Sequence, residues 1–149
     1  MELRILAVGD VVGLPGLSYL SRHLRSLKQL YKIDFCVVNG ENANGVGILP
    51  RQADLIFDAG ADVITLGNHT FGRREICPYL DDNRYILRPA NLAPSLPGHG
   101  WGVFETNAGP VAVANLIGRC AMDFTPDNPF RVVDKILKGV GTIPVLIDF

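Results

Sequence analysis

At 149 residues the chain is long enough for one domain with a real core, and 48% hydrophobic with 19% charged residues excludes a disordered segment. A formal net charge of -1 excludes an overall basic field for nucleic acid or membranes, and leaves room only for a local positive site. No run approaches a membrane span, "MELRILAVGD" lacks signal-peptide features, and Cys36, Cys77 and Cys120 are too scattered for a disulfide framework or zinc knot, so a soluble cytoplasmic protein with no membrane partner is expected.

The continuous apolar run 4–10 ("RILAVGD") predicts a buried strand. Leu17, Leu20, Leu24, Leu27 and Leu30 recur at three- and four-residue spacing and predict an amphipathic helix over 16–31. "DFCVVNG" (34–40) is a second strand. A helix follows over 49–60, with proline near its start and Gly60 as its C-terminal cap. The β-branched run 62–68 ("DVITLGN") is a third strand, 73–80 a short helix and 84–91 a fourth strand. Residues 101–118 read as two strands joined by the turn "NAGP", 128–139 as a helix and 143–149 as a last strand. The order βαβαβ at the start predicts a parallel sheet covered by helices, and the last strand running to Phe149 suggests truncation.

Parallel α/β sheets bind ligands beyond the carboxyl ends of their strands. The first three strands end at Gly9-Asp10, at Asn39-Gly40-Glu41-Asn42 and at Gly67-Asn68-His69. Their convergence would place two carboxylates, two amides and an imidazole in one cleft, a donor set for manganese, iron or zinc. Two ions about 3.5–4 Å apart would clamp a phosphoryl group, and two carboxylates leave such a cleft net positive toward a phosphate. Each residue also has a plainer reading. Asp10 could cap the next helix, Glu41, Asn42 and Asn44 could form an ordinary Gly/Asn loop, and His69 could be a hydrogen-bonded cleft histidine. Recurrence at three strand ends favours the site. His23 reads as a helix residue, His99 as a loop residue with a minority chance of lining the cleft, and Arg119 as either a phosphate ligand or a surface ion-pair partner. Gly40 to Gly45 is followed by Val46-Gly47 rather than Lys-Ser/Thr, and Gly9, Gly13 and Gly16 miss the GxGxxG spacing, so both nucleotide-loop motifs fail.

Gly9-Asp10, "NGENA" and "GNHTF", in that order, resemble the motifs of calcineurin-like metallophosphoesterases, and the Glu-Asn of the second motif resembles the YmdB-like family of bacterial phosphodiesterases. "RPANLAPSLPGHGW" and "NLIGRCAMDFTPDNPF" extend that resemblance over nearly all of the chain. The resemblance implies a layered α/β fold of β-sheets flanked by helices, with 1–149 the N-terminal portion of a single metallophosphoesterase domain. It also implies two metal ions, iron or manganese with zinc as an option, and hydrolysis of cyclic nucleotide phosphodiesters including 2',3'-cyclic species. Matched motif by motif, Asp10 and Asn42 would hold one ion, Asn68 the other, Glu41 would bridge both, and His69 would protonate the leaving oxygen. The family's pattern continues past this point to three histidine ligands. The chain stops at Asp148-Phe149 before the first of them, and His99 matches none of those positions. A small nucleotide or RNA-end phosphodiester is the expected partner and a homo-oligomer the expected state. A non-catalytic nucleotide- or RNA-binding regulatory module is the alternative, and an α/β assembly domain a third reading.

Overall fold

The computed structural model describes residues 2–149. Four parallel strands, β1 (Ile5–Val8), β2 (Phe35–Asn39), β3 (Val63–Thr65) and β4 (Ile86–Leu87), form the first sheet in chain order. Between them run α1 (Gly13–Tyr31), α2 (Pro50–Ala59) and α3 (Ile76–Asp82). Side chains alternate across the pleat, so Cys36, Val38, Ile64 and Ile86 pack against these helices. Phe35, Val37, Val63 and Leu87 point to the opposite face, where they meet Phe104, Val111 and Val113 of a second sheet.

That second sheet is β5 (Trp101–Thr106), β6 (Gly109–Asn115) and β7 (Val145–Asp148), in that order. The hairpin β5–β6 is antiparallel, whereas β6 and β7 are parallel and are joined through α4 (Pro129–Val140). Ile136 and Val140 of α4 cover the outer face of this sheet at Ala112 and Ala114. The result is four layers: three helices, parallel sheet, mixed sheet, one helix. The layered α/β architecture agrees with the sequence reading. Strand-by-strand alternation sets the two-sheet stacking, because both faces of each sheet are apolar and each needs a partner.

Two features of the helices differ in detail. Helix α1 begins at Gly13, with Val12 before it and no side-chain cap, so Asp10 does not serve as the cap that its position allowed. Of the five spaced leucines, Leu17, Leu20 and Leu24 are buried, while Leu27 is 38% and Leu30 71% exposed, because the buried stripe continues through Lys28, whose ammonium reaches Gly60 O and Asp62. Gly60 caps α2 with φ 115°, a left-handed conformation that favours glycine. No helix among the described residues is long and apolar enough to cross a membrane.

Candidate active site at the strand tips

The carboxyl ends of β1, β2 and β3 lie side by side, since Val8 is in register with Val38 and Asn39 with Thr65. The three motif segments leave from these ends and meet in a chain of hydrogen bonds. Asn42 Nδ2 donates to Asp10 Oδ2 at 2.8 Å, and Asn42 Oδ1 lies 2.6 Å from His69 Nδ1. A carbonyl oxygen only accepts, so His69 Nδ1 carries the proton in this contact. Glu41 Oε2 accepts the backbone N–H of His69 at 3.0 Å and sits 4.0 Å from its Nδ1. The structure thus places Asp10, Asn42, His69 and Glu41 in one connected group.

Gly67 permits this. A Cβ there would collide with the carboxylate of Glu41, which rests directly on the turn. The side chain of Glu41 is only 16% exposed, and it faces Asn68 and Asp148 across a cleft of about 250 Å³. Asn68 is exposed and bridges this cleft to a larger neighbouring cavity.

Two residues of the cleft, Asn115 and Asp148, escaped the sequence reading, and Asn39 was placed at a strand tip without a role. Asn39 accepts the N–H of Glu41 through Oδ1 at 3.2 Å and donates to Asp148 Oδ2 at 3.1 Å. Asn115 donates to Leu66 O at 2.5 Å and Leu87 O at 2.8 Å, tying the second sheet to the first. All three end strands, β2, β6 and β7, so the strand-tip rule reaches them once the second sheet is known to stand beside the first. Asn44 sits apart, 3.0 Å from Gln52 Nε2, and shapes the loop. His23 packs on Tyr19 along the exposed side of α1 with ring centroids 4.3 Å apart. His99 lines a different pocket with Arg88 and Trp101 and is not part of the cleft.

Among the described residues no three His, Cys, Asp or Glu side chains cluster in a way that could hold an ion. The oxygens available at the tips belong instead to the carboxylates of Asp10, Glu41 and Asp148 and to amides, which suit hard or borderline cations. Asp10 and Asn42 are already in contact, and a cation shared between them would replace the N–H···O bond that now joins them. The residues therefore fit an ion as a partial donor set, with Asp10, Glu41, Asn42 and Asn68 as the oxygens at hand.

Two stacked sheets between helical layers, with acidic and amide groups at the strand tips, define a phosphoesterase-type α/β fold. A crystal structure of a hypothetical protein from Thermus thermophilus superposes with TM-score 0.86 at 32% identity, over 97% of this chain and 56% of that one. A crystal structure of a phosphatase from Mycoplasma pneumoniae gives TM-score 0.86 at 28% identity, over 97% and 54%. The NAD nucleotidase of Haemophilus influenzae, at 17% identity and TM-score 0.68, shares the fold. The YmdB-like protein family model matches residues 6–149, and the chain belongs to that family. It is 39% identical to the 2',3'-cyclic-nucleotide 2'-phosphodiesterase of Bacillus subtilis over 99% of its own length. It is also 30% identical to a putative phosphatase/phosphodiesterase of Mycoplasma pneumoniae. The chain spans about half the length of these relatives, 56% and 55%.

Proposed function

We propose that this protein is a metal-dependent phosphodiesterase acting on cyclic nucleotide phosphodiesters, 2',3'-cyclic species foremost, at a dinuclear centre. The observation that carries the reading is the connected group Asp10–Asn42–His69–Glu41 at the strand tips. The name of the Bacillus subtilis relative supports the substrate class. Asp10 and Asn42 would hold one ion, Asn68 the other, and Glu41 would bridge them. Iron or manganese fits this donor set first and zinc second; when bound, such a pair supplies Lewis acidity toward the phosphoryl oxygens.

The chain's own contribution is proton placement. His69 is held from two sides, by Asn42 at Nδ1 and by Glu41 at its backbone N–H. With Nδ1–H committed to Asn42, a proton for transfer must sit on Nε2, so the doubly protonated ring is the acid. Water adds to phosphorus and gives up one proton to solvent, the P–O2' bond breaks, and O2' leaves as a hydroxyl with the Nε2 proton, giving a 3'-phosphate and a singly protonated ring that solvent reprotonates. The test is product analysis with 2',3'-cyclic AMP and excess manganese. The expected result is metal-dependent appearance of the 3'-phosphate. Cyclic nucleotide that binds but is never opened, at any metal loading, would replace this reading with a non-catalytic nucleotide-binding module.

A further inference from the structure

The cavity beside the cleft has a volume of about 700 Å³, within the range of small-molecule sites. It begins at Asn68 and is walled by Phe71, Leu92, Leu96 and Phe124. Phe124 is 42% exposed, an aromatic face left open to a ligand. Of the polar residues in its wall, Asn68, Asn91, Thr125 and Asp127, Asn91 is 1% exposed and fully engaged within the chain. Its Nδ2 donates to Ile117 O at 2.8 Å and Asp127 O at 3.0 Å, and its Oδ1 accepts from Ile117 N at 2.9 Å. That amide joins the two loops that form the walls. Arg88, 5% exposed, further secures the first loop by donating to Pro89 O at 2.9 Å and Pro97 O at 3.0 Å. The chamber is therefore built before any ligand arrives, and its apolar, aromatic lining suits a flat heterocycle rather than a charged group.

Through Thr125, Pro126 and Asp127 the chamber continues into a second pocket of about 390 Å³. Arg119, Arg131 and Lys135 line it, and none of them is in an ion pair among the described residues. Asp127 is the one carboxylate set against these three cations. In a chain of net charge -1 this is a concentrated positive site. The sequence along the surface is thus a phosphoester centre, an aromatic chamber and a cationic pocket. Anion, planar base and anion alternate in the same way along a nucleic-acid strand.

We propose that the substrate is the 3' end of a single-stranded oligoribonucleotide, a reading that rests on the phosphodiesterase assignment above. The terminal cyclic phosphate lies at the strand tips, the terminal base stacks in the chamber against Phe124, and the phosphate on its 5' side meets Arg119, Arg131 and Lys135. The test is equilibrium binding to the metal-free chain, read by fluorescence anisotropy of a 5'-labelled hexa-adenylate ending in a 2',3'-cyclic phosphate. Unlabelled 2',3'-cyclic AMP serves as competitor. The hexamer should bind at least about tenfold more tightly than the mononucleotide, because it alone fills the cationic pocket. Arg131→Gln with Lys135→Gln should remove that advantage and lower the salt slope by about 0.7, the value for one phosphate on a single strand. Phe124→Ala should weaken the hexamer about tenfold and leave a hexamer with an abasic last residue unaffected. Equal affinity for hexamer and mononucleotide, or variants that keep the parent's ratio, would overturn the proposal. Since the readout needs no turnover, this pattern without hydrolysis would sink only the phosphodiesterase reading. Hydrolysis of cyclic AMP with no advantage for the hexamer would sink only the oligonucleotide site.

Discussion

Glu41 does two things at once: its carboxylate rests on the Gly67 turn, and its Oε2 holds the backbone of His69. Glu41→Gln keeps the shape and one acceptor oxygen but removes the charge. The variant should fold like the parent and bind fewer ions at both positions, measured by metal analysis after equilibration with manganese. Parent-like occupancy and turnover would end the bridging assignment. His69→Ala separates the proposed acid from the proposed ligands. Turnover should fall by about 10²–10⁴-fold while metal content holds, and the loss should shrink for a nitrophenyl ester, whose leaving oxygen needs little protonation. Equal losses for good and poor leaving groups would argue against proton donation. Cys36 illustrates a third kind of residue. It is fully buried in β2, and burial pushes its thiol up to about 12, with Lys28 lowering and Asp62 raising it in smaller measure. A raised thiol pKa favours the folded state below the ordinary value of 9.0, and that stability is lost as pH rises toward 12. At pH 8 a thiol reagent should therefore modify exposed Cys120 and leave Cys36 untouched until the chain is unfolded. Fast labelling of Cys36 in the native chain would contradict its place in the core.

At the level of elements, two glycines separate what the fold needs from what the site needs. A Cβ on Gly67, just past β3, would first meet the flexible end of Glu41, whereas a Cβ on Gly100, just before β5, would lie 2.8 Å from the backbone nitrogen of Ala90. Gly67→Ala should unfold within about 1 kcal/mol of the parent yet lose metal as Glu41→Gln does, because the carboxylate alone is displaced. Gly100→Ala should cost about 3 kcal/mol, since neither backbone can yield. Chemical denaturation beside metal analysis distinguishes the two, and a destabilised Gly67→Ala would show that the turn is structural. The same contrast marks what the sequence could say. Continuous apolar runs and the Gly60 cap located β1 to β3 and α2, because those signals are local. Exposure of Leu27 and Leu30 was not legible, since three- and four-residue spacing does not show that the buried stripe continues through Lys28 rather than through these leucines. Asn115 and Asp148 were missed, and Asn39 was left without a role, for a related reason. Their shared position depends on the mixed sheet stacking on the parallel one, which is a long-range packing outcome.

For the molecule as a whole, the balance between donors and ions decides how firmly metal is kept. The oxygens proposed as ligands are those of Asp10, Glu41, Asn42 and Asn68, and two of these four side chains are neutral amides. First-row ions take about four to six ligands each, so a pair needs far more donors than four residues provide, and water must fill the remainder. Water competes with itself at no cost, so each position it fills contributes nothing to retention. The existing N–H···O bond between Asn42 and Asp10 must also be given up when a cation enters. We therefore expect the 149-residue chain to bind manganese only under excess metal, to lose it on dialysis, and to turn over cyclic nucleotide only while metal is supplied. Metal content before and after dialysis, with turnover measured at each point, decides the matter. Two ions held stoichiometrically by the dialysed chain would show that the donor set is larger than these four, with Asp148, across the cleft from Glu41, as the next carboxylate to test.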